Sequence, residues 1–203
     1  MAAHPQPVID WTVPAGRQDW LLGTGATPAE RALVWVASAA SVLVLLALAA
    51  AQDVAWTWWQ WLLVLVLTVD VAGGVVANAL GTAKRQYHSP WPASTALQRI
   101  LRHPVGFTAL HVHPFGFALL MTDATLVWAA TWYAVALAGT LAVVAAPLYL
   151  RRPLAAAVVT AAVVGAPLVD APATLTWFGP VLVLKLVASH AVYEEPYRPS
   201  PRA

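Results

Sequence analysis

Long apolar stretches alternate with short polar ones along most of the chain. From Arg31 onward, several apolar runs approach or exceed the roughly 20 residues that a helix needs to cross a bilayer. This pattern predicts an all-α fold, a polytopic transmembrane bundle of six helices. The predicted spans cover residues 31–51, 54–80, 104–122, 124–150, 153–169 and 174–191.

Polar segments flank and divide this transmembrane domain, which covers residues 31–191. Residues 1–30 are expected to form a polar N-terminal arm, and residues 192–203 a polar C-terminal tail. Residues 82–103 are expected to form a loop between the second and third spans. The arm has no basic start followed by an apolar run, so it does not resemble a signal peptide.

Two capping-box patterns predict where helices begin. Thr27 precedes Glu30 by three residues, with Pro28 at the first helical position, so a helix should begin just ahead of the first span. Thr95 precedes Gln98 in the same way, and this second box should open a short helix inside the polar loop.

Ten of the eleven basic residues lie in the segments that six crossings place on one side of the membrane. The three opposite loops contain none, and each carries one acid. The positive-inside rule therefore predicts short outer loops and two cytoplasmic termini in a multi-pass protein of the cell membrane. Lys185 lies near the inner end of the sixth span, where its ammonium can reach the interface. The ten inner basic residues are Arg17, Arg31, Lys84, Arg85, Arg99, Arg102, Arg151, Arg152, Arg198 and Arg202.

Tryptophans concentrate near the predicted outer ends of the second, fourth and sixth spans. Indole rings favour the membrane interface, where the ring is partly dry and its N–H remains hydrated. The pattern indicates an aromatic belt, and the alternative is an aromatic platform for a ligand or quinone. The residues are Trp56, Trp58, Trp59, Trp61, Trp128, Trp132 and Trp177.

Composition supports the membrane interpretation and excludes several functions. Only 10% of the residues are charged, against roughly 25% in soluble proteins. The absence of cysteine excludes disulfides, thiolate metal sites and cysteine nucleophiles. The net charge of +2 is too small to indicate a nucleic-acid partner. The sequence contains no phosphate-binding loop, no dinucleotide fingerprint and no GxSxG motif.

Asp70 is the only acid deep within any predicted span. A carboxylate at that depth costs about 2.5–3.5 kcal/mol on insertion scales, so it needs a partner, a proton or water. Asp70 lies roughly 16 Å from the inner end of its span, and His111 and His113 lie roughly 10 and 13 Å into the next one. The similar depths predict a buried Asp/His cluster open to the cytoplasmic side, with these three residues as the candidate catalytic groups.

The spacing of the two histidines limits how they can meet the acid. Two residues on a regular helix are separated by roughly 200° of rotation, so His111 and His113 should not both face Asp70. Pro114 removes a backbone hydrogen bond, and it therefore predicts a distortion of the third helix that would change this geometry. A distorted helix needs protein or water around its freed backbone groups, so the third span should lie inside the bundle.

The polar loop supplies candidate groups for binding a lipid headgroup. The helix predicted after Thr95 has apolar Leu97 and Ile100 beside basic residues, and such a helix can lie on the inner leaflet and bind anionic lipid headgroups. The alternative is that this helix only anchors the loop. The candidate substrate- or headgroup-binding residues are Asn78, Lys84, Arg85, His88, Arg99 and Arg102.

A metal is a further candidate for the cluster. Carboxylate and imidazole groups suit a divalent metal such as zinc or iron. The candidate ligands are Asp70, His111, His113 and His88. No established metal-binding motif accompanies them, and the cofactor stays open.

Three functions remain open at this stage. The first is a membrane-embedded enzyme that acts on a lipid-like substrate. The second is a structural or accessory subunit, in which Asp70, Gly74 and Asn78 at spacings of four residues form a polar packing seam. The third is a proton- or cation-coupled transporter, because ionisable groups inside a membrane often form relays.

Overall fold

The computed structural model describes residues 8–16, 18–90 and 95–198. Parts of the predicted arm, loop and tail lie outside these described residues, as do Arg17 and Arg202 of the charge count. The protein is mostly helical, with 69% of the chain in helices and one very small sheet. The predicted helical class is therefore confirmed.

The elements follow one another as two terminal strands around a series of helices. The bounds in chain order are β1 Val8–Ile9, α1 Pro28–Ala51, α2 Trp58–Ala79, α3 Gly81–His88, α4 Ala96–Arg102, α5 Pro104–Ala109, α6 His113–Leu120, α7 Leu126–Ala145, α8 Leu148–Leu168, α9 Phe178–His190 and β2 Tyr197–Arg198.

Four helices, α1, α2, α7 and α8, are long and apolar enough to cross a membrane. This finding supports a membrane protein with several spans. The segment predicted as the third span is shorter, and it is divided into α5 and α6. The helix predicted as the sixth span, α9, is also shorter than a full crossing helix. The count of six crossings therefore stays a prediction.

The capping box predicted at the start of α1 is present in the structure. The Thr27 side chain accepts a hydrogen bond from the Glu30 backbone, and the Glu30 carboxylate accepts one from the Thr27 backbone. The buried residues of α1 form one stripe along the helix, which consists of Val34, Ser38, Leu45 and Ala49.

 Most of the remaining surface of α1 is apolar and exposed, which suits a helix that faces lipid on its other sides.

Helix α8 begins at Leu148, five residues before the predicted start of the fifth span at Pro153. The Arg151 guanidinium donates hydrogen bonds of 3.0 Å to the carbonyls of Ala146 and Val144, near the end of α7. These carbonyls lack partners within their own helix, so a basic side chain in the next helix stabilises the turn between the two.

The segment predicted as a loop, residues 82–103, is largely helical where it is described. Helix α3 is buried because the N-terminal arm covers it. The Thr82 hydroxyl donates a 2.6 Å hydrogen bond to the Leu22 carbonyl, and the Tyr87 hydroxyl donates a 2.8 Å bond to the Trp20 carbonyl. A loop in sequence is therefore a packed layer in the structure, which we call the inner cap and define as α3 with residues 18–26.

The two ends of the described chain are joined. Strands β1 and β2 pair in antiparallel register, with Val8 opposite Arg198. The Arg198 guanidinium also forms an ion pair with the Asp10 carboxylate, with an N–O distance of 3.0 Å. The arm and the tail therefore lie at the same end of the bundle.

The opposite half of the bundle has an aromatic core. Phe117, Trp128 and Phe178 contact one another through their rings, and all three are almost completely buried. Gly179 lies directly against the Trp132 ring, where a Cβ atom would overlap the indole. Trp128 and Trp132 are thus core residues and not belt residues, whereas Trp58 is exposed as an aromatic belt requires.

Candidate functional site

The Asp70 carboxylate has a partner that the sequence interpretation did not assign to it. The Lys185 ammonium donates a 2.8 Å hydrogen bond to Asp70 Oδ2. Only 4% of the Lys185 side chain is exposed, so this lysine does not extend to the interface as predicted. An ion pair thus joins α2 to α9 near the middle of α2.

Both members of this pair lie on distorted helix turns. Residues Val69–Gly73 of α2 and Leu184–His190 of α9 adopt π-helical geometry. A π-helical turn inserts an extra residue into the helix and redirects the side chains around it, and such turns occur frequently at functional sites. The distortions place Asp70 and Lys185 opposite each other.

Gly74 provides the space for this ion pair. A Cβ atom at Gly74 would lie 2.5 Å from Lys185 Cε, so the lysine side chain passes directly over the glycine. The neighbouring Gly73 faces Ser38 of α1 in the same close manner. The two glycines therefore allow side chains of two different neighbours, α1 and α9, to lie close to the α2 backbone.

The break between α5 and α6 brings both histidines toward Asp70. His111 and His113 lie with ring centroids 5.1 Å apart and ring planes 88° apart. One ligand atom from each histidine and one from Asp70 all lie within 4.8 Å of one another. The expectation that at most one histidine faces the acid is wrong, because residues 110–112 do not continue the helix.

The environment of His111 fixes the position of its proton. Its Nδ1 lies 2.7 Å from the Phe107 carbonyl oxygen, which can only accept a hydrogen bond. Nδ1 must therefore carry the hydrogen, and Nε2 of a neutral ring retains its lone pair. The residue is buried, so the bond to Phe107 also fixes the orientation of the ring.

His113 has a less complete set of partners. Its Nδ1 lies 3.7 Å from Asp70 Oδ2, which is beyond ordinary hydrogen-bond length. The atom is buried, and it has no hydrogen-bond partner among the described residues. We call Asp70, His111, His113 and Lys185 the midspan cluster.

The backbone at the break is supported by neighbouring groups. The Tyr133 hydroxyl of α7 donates a 3.1 Å hydrogen bond to the Ala109 carbonyl, and the His111 ring bonds the Phe107 carbonyl. Irregular backbone inside a membrane requires such partners. The predicted distortion near Pro114 is present, and it begins four residues before the proline.

The midspan cluster is open on one side. The exposed fractions are 38% for the Asp70 side chain and 28% for His113, whereas Lys185 and His111 are buried behind them. Asp70 follows the start of α2 by 12 residues and precedes its end by nine, or roughly 18 and 14 Å along the helix axis. The opening is therefore far from both ends of α2.

A row of rings connects the midspan cluster to the inner cap. His190 stacks on Phe107 with ring centroids 3.8 Å apart, and Phe107 lies 4.5 Å from His111. On the other side, the His190 ring lies 6.1 Å from His88. Four histidines thus lie in one row, with Phe107 interrupting it.

The structure separates the predicted headgroup residues into buried and exposed groups. Lys84 is buried, and its ammonium donates hydrogen bonds to the carbonyls of Ser189 and Val192. Arg85 and Asn78 are buried as well. These residues are not on an open surface, because α3 lies beneath the arm and against the end of α9.

The other predicted headgroup residues lie nearer to the surface. Arg99 is exposed on α4, together with the apolar Leu97 and Ile100. The Arg102 guanidinium donates a hydrogen bond to the Ser89 carbonyl. His88 donates from Nε2 to the His190 carbonyl at 3.0 Å. His88 also lies outside the group of candidate metal ligands found among the described residues.

Burial changes the acidity of several groups in the inner cap. It lowers the pKa of Lys84 to about 8, so most of the ammonium is still charged at pH 7. Burial together with the nearby Lys84 charge lowers the pKa of His88 to about 4, so this ring is neutral at pH 7. Burial and the charge of Asp19 raise the pKa of Tyr87 to about 12.

No family model, curated protein or solved structure matches this chain. The functional interpretation therefore depends on the geometry of the site itself.

Lys185 is the residue that the sequence interpretation missed. The available signal was a single basic residue inside an otherwise apolar segment from Phe178 to Ser189. Such a residue usually faces a partner inside the bundle, and its most plausible partner is the one deep acid. Because the sequence favoured a position for Lys185 near the interface, it did not predict the pairing with Asp70.

Proposed function

We propose that the chain crosses the membrane six times and that both termini lie on the cytoplasmic side with the inner cap. The pairing of β1 with β2 supports an even number of crossings, because both strands lie at one end of the bundle. The charge distribution supports the cytoplasmic placement of that end.

The contacts at the two ends of α9 support its role as a crossing helix. Just before α9, the Thr174 backbone donates to the Gln52 side chain at the end of α1. At its other end, the Ser189 carbonyl accepts from Lys84 of α3. Helix α2 is the long helix between Gln52 and Lys84, and a single crossing by α2 places these two residues at opposite faces of the bundle. Because the two ends of α9 contact Gln52 and Lys84, α9 extends from one face to the other.

The α5–α6 segment has equivalent contacts at its two ends. Arg102, just before α5, donates to the Ser89 carbonyl after α3. Leu120, at the end of α6, accepts from the Gln60 side chain in the first turn of α2. These contacts support two short helices that together cross the bilayer, so that six crossings result.

Within this topology, the protein acts as a membrane-embedded enzyme on a lipid-like substrate. The observation that carries this proposal is the opening of the midspan cluster. Asp70 and His113 are partly exposed at a depth where the surroundings of the bundle are the hydrocarbon of the bilayer. A substrate dissolved in the bilayer can therefore reach them sideways, without passing through an aqueous channel.

The groups of the midspan cluster suit acid–base chemistry. His113 is partly exposed, so its ring can exchange a proton with a substrate while its buried Nδ1 faces Asp70. The Lys185 ammonium pairs with the Asp70 carboxylate, which lies 3.7 Å from His113 Nδ1. His111 is held by the Phe107 carbonyl and presents its Nε2 lone pair.

Helix α4 supplies a surface for an anionic headgroup. Leu97 and Ile100 are exposed apolar residues next to the exposed Arg99. A short helix of this kind lies at the membrane surface, with its apolar residues in the lipid and its basic residues at the phosphates. We assign to it the attraction of anionic lipids, and not the chemistry.

A lipid-conversion assay tests the proposed enzyme. The full-length protein is reconstituted into vesicles of host membrane lipids, and the lipids are compared by mass spectrometry before and after incubation. We expect a time-dependent change with the wild-type protein, and its loss in Asp70→Asn and His113→Ala. His103→Gln is the matched control, because His103 is an exposed histidine outside the cluster. Identical lipid profiles for wild-type, Asp70→Asn and empty vesicles would overturn the proposal.

The row of histidines supports a proton-coupled carrier as the second candidate. His88, His190, His111 and His113 lead from the inner cap to Asp70. Proton uptake into vesicles, measured with an internal pH dye, should be present in wild-type and absent in His113→Ala if this candidate is correct. Equal uptake in protein-containing and empty vesicles would exclude it.

A further inference from the structure

We propose that Asp70, His111 and His113 bind one divalent transition metal ion, of the zinc or iron(II) class, and that Lys185 competes with this ion for Asp70. The inference concerns the same cluster as the proposed function. Metal binding is measured without a substrate, however, so that either proposal can fail while the other stands.

The arrangement of ligand atoms carries this inference. One atom from each of the three residues lies within 4.8 Å of the other two. Metal–ligand bonds of roughly 2.0–2.2 Å place neighbouring ligands about 3–4 Å apart, so a small contraction brings the three atoms around one ion. His113 Nδ1 already lies 3.7 Å from Asp70 Oδ2, which is within the spacing of neighbouring ligands.

The contact of His111 with the backbone is a second, independent observation. Histidines that bind metals usually donate their other ring N–H to a carbonyl or carboxylate, which fixes the tautomer and the ring orientation. The 2.7 Å contact between His111 Nδ1 and the Phe107 carbonyl has this form. It leaves Nε2 as the metal-binding atom of His111.

The buried Nδ1 of His113 is a third observation that indicates a bound ligand. The atom has no hydrogen-bond partner among the described residues. A buried polar atom without a partner is costly, and a bound ion is one of the groups that can satisfy it. The nitrogen lies on the side of the ring that faces Asp70.

The number and type of ligands indicate the class of ion. Two imidazoles and one carboxylate suit zinc or iron(II), whereas magnesium and calcium prefer sites made of oxygen atoms. Three protein ligands leave at least one coordination position for water or substrate, as in catalytic sites. The open side of the midspan cluster, at Asp70 and His113, is where that position would lie.

Lys185 is the internal competitor in this site. Its ammonium lies 2.8 Å from Asp70 Oδ2 and neutralises the carboxylate that a metal would use. A divalent ion beside an ammonium is repelled by it, and the repulsion is strong where water is scarce. Removal of the lysine charge should therefore tighten metal binding, whereas removal of a ligand should weaken it.

The experiment measures metal content and affinity on the purified full-length protein in detergent. Zinc is added, excess is removed, and bound zinc is quantified by elemental analysis, with affinity measured by competition against a chelating dye. We expect one zinc per wild-type chain, at least about tenfold weaker binding in His113→Ala and His111→Ala, and about tenfold tighter binding in Lys185→Gln.

The controls separate metal binding from folding. His103→Gln removes an exposed histidine outside the cluster and should bind zinc like the wild-type protein. The Lys185→Gln variant tests the site by a gain of affinity, which misfolding would not produce. Absence of stoichiometric zinc in both wild-type and Lys185→Gln would overturn the proposal, as would equal zinc binding by wild-type and folded His113→Ala.

Discussion

The inner cap and the midspan cluster each bury one lysine, and the two lysines have different kinds of partner. Lys84 donates to the backbone carbonyls of Ser189 and Val192. Lys185 donates to the carboxylate of Asp70. Backbone carbonyls at the end of a helix have fixed positions and no charge to exchange, so Lys84 stabilises the fold. A carboxylate can exchange its cation, so the Lys185 contact can take part in chemistry or binding.

The largest expected effect separates these two roles at Asp70. In Asp70→Leu, the buried Lys185 ammonium loses its partner, and we expect a loss of about 4 kcal/mol in the free energy of unfolding. The double variant Asp70→Leu/Lys185→Met replaces both charges with apolar groups and should recover most of that loss. Unfolding in mixed micelles, followed by circular dichroism, measures both values.

The double variant Asp70→Leu/Lys185→Met also tests lipid conversion and zinc binding. It should fold while it loses lipid conversion and zinc binding, because the carboxylate is absent. A double variant that is as unstable as Asp70→Leu would contradict the description of the ion pair as exchangeable.

The second prediction concerns Lys84. Lys84→Met removes the donor for two buried carbonyls, and each unsatisfied group costs about 1–3 kcal/mol, so a loss of about 3 kcal/mol is expected. Zinc binding by the fraction that remains folded should be unchanged. Lys84→Arg is the control that keeps the charge. A Lys84→Met protein with wild-type stability would show that the inner cap does not depend on these bonds.

The third prediction concerns the pH dependence of the inner cap. The pKa of His88 is lowered to about 4 in the folded protein, from an ordinary value of 6.5. Between these values the unfolded chain binds the proton more readily, so stability should fall as the pH decreases from about 6.5 to about 4. At pH 5, the buried neutral His88 lowers the free energy of unfolding by at most about 2 kcal/mol.

A pH series of thermal unfolding curves in detergent measures this dependence. His88→Gln should have a smaller loss of stability over the same pH interval than the wild-type protein. Parallel curves for the two proteins would contradict the assignment of this proton to His88.

The smallest expected effect tests the close contact at Gly74. In Gly74→Ala, the added Cβ would lie 2.5 Å from Lys185 Cε, so the lysine must shift away from Asp70. We expect a loss of about 1.5 kcal/mol, because overpacking costs about 1–3 kcal/mol and alanine favours the helix. Gly116→Ala is the matched control, since no atom lies within 4 Å of its added Cβ. Equal stability of the two variants would show that Gly74 is not needed for the pair.

The sequence contained enough information for the helical class and for part of the midspan cluster. Apolar run lengths predicted the long helices, and the Thr27 and Thr95 capping boxes predicted two helix starts that the structure contains. The matching depths of Asp70 and the two histidines predicted their proximity. These features depend on local chemistry or on position along a helix, which a sequence displays directly.

The remaining features depend on contacts between distant segments. Lys185 is 115 residues from Asp70, and a π-helical turn changes which side chains face each other without a clear change in composition. The burial of α3 depends on the arm, which lies over it. Polar composition alone indicated an open loop, because it does not reveal that Leu22 and Trp20 accept hydrogen bonds from it.

The pairing of β1 with β2 has a consequence for how the chain assembles during synthesis. The arm emerges first, but its strand partner, Tyr197–Arg198, emerges only after the last helix. The carbonyls of Ser189 and Val192 that receive Lys84 are also made late. The contacts of α3 with the end of α9 and the pairing of β1 with β2 therefore form last, and a chain that stops before residue 189 lacks the carbonyls that accept from Lys84.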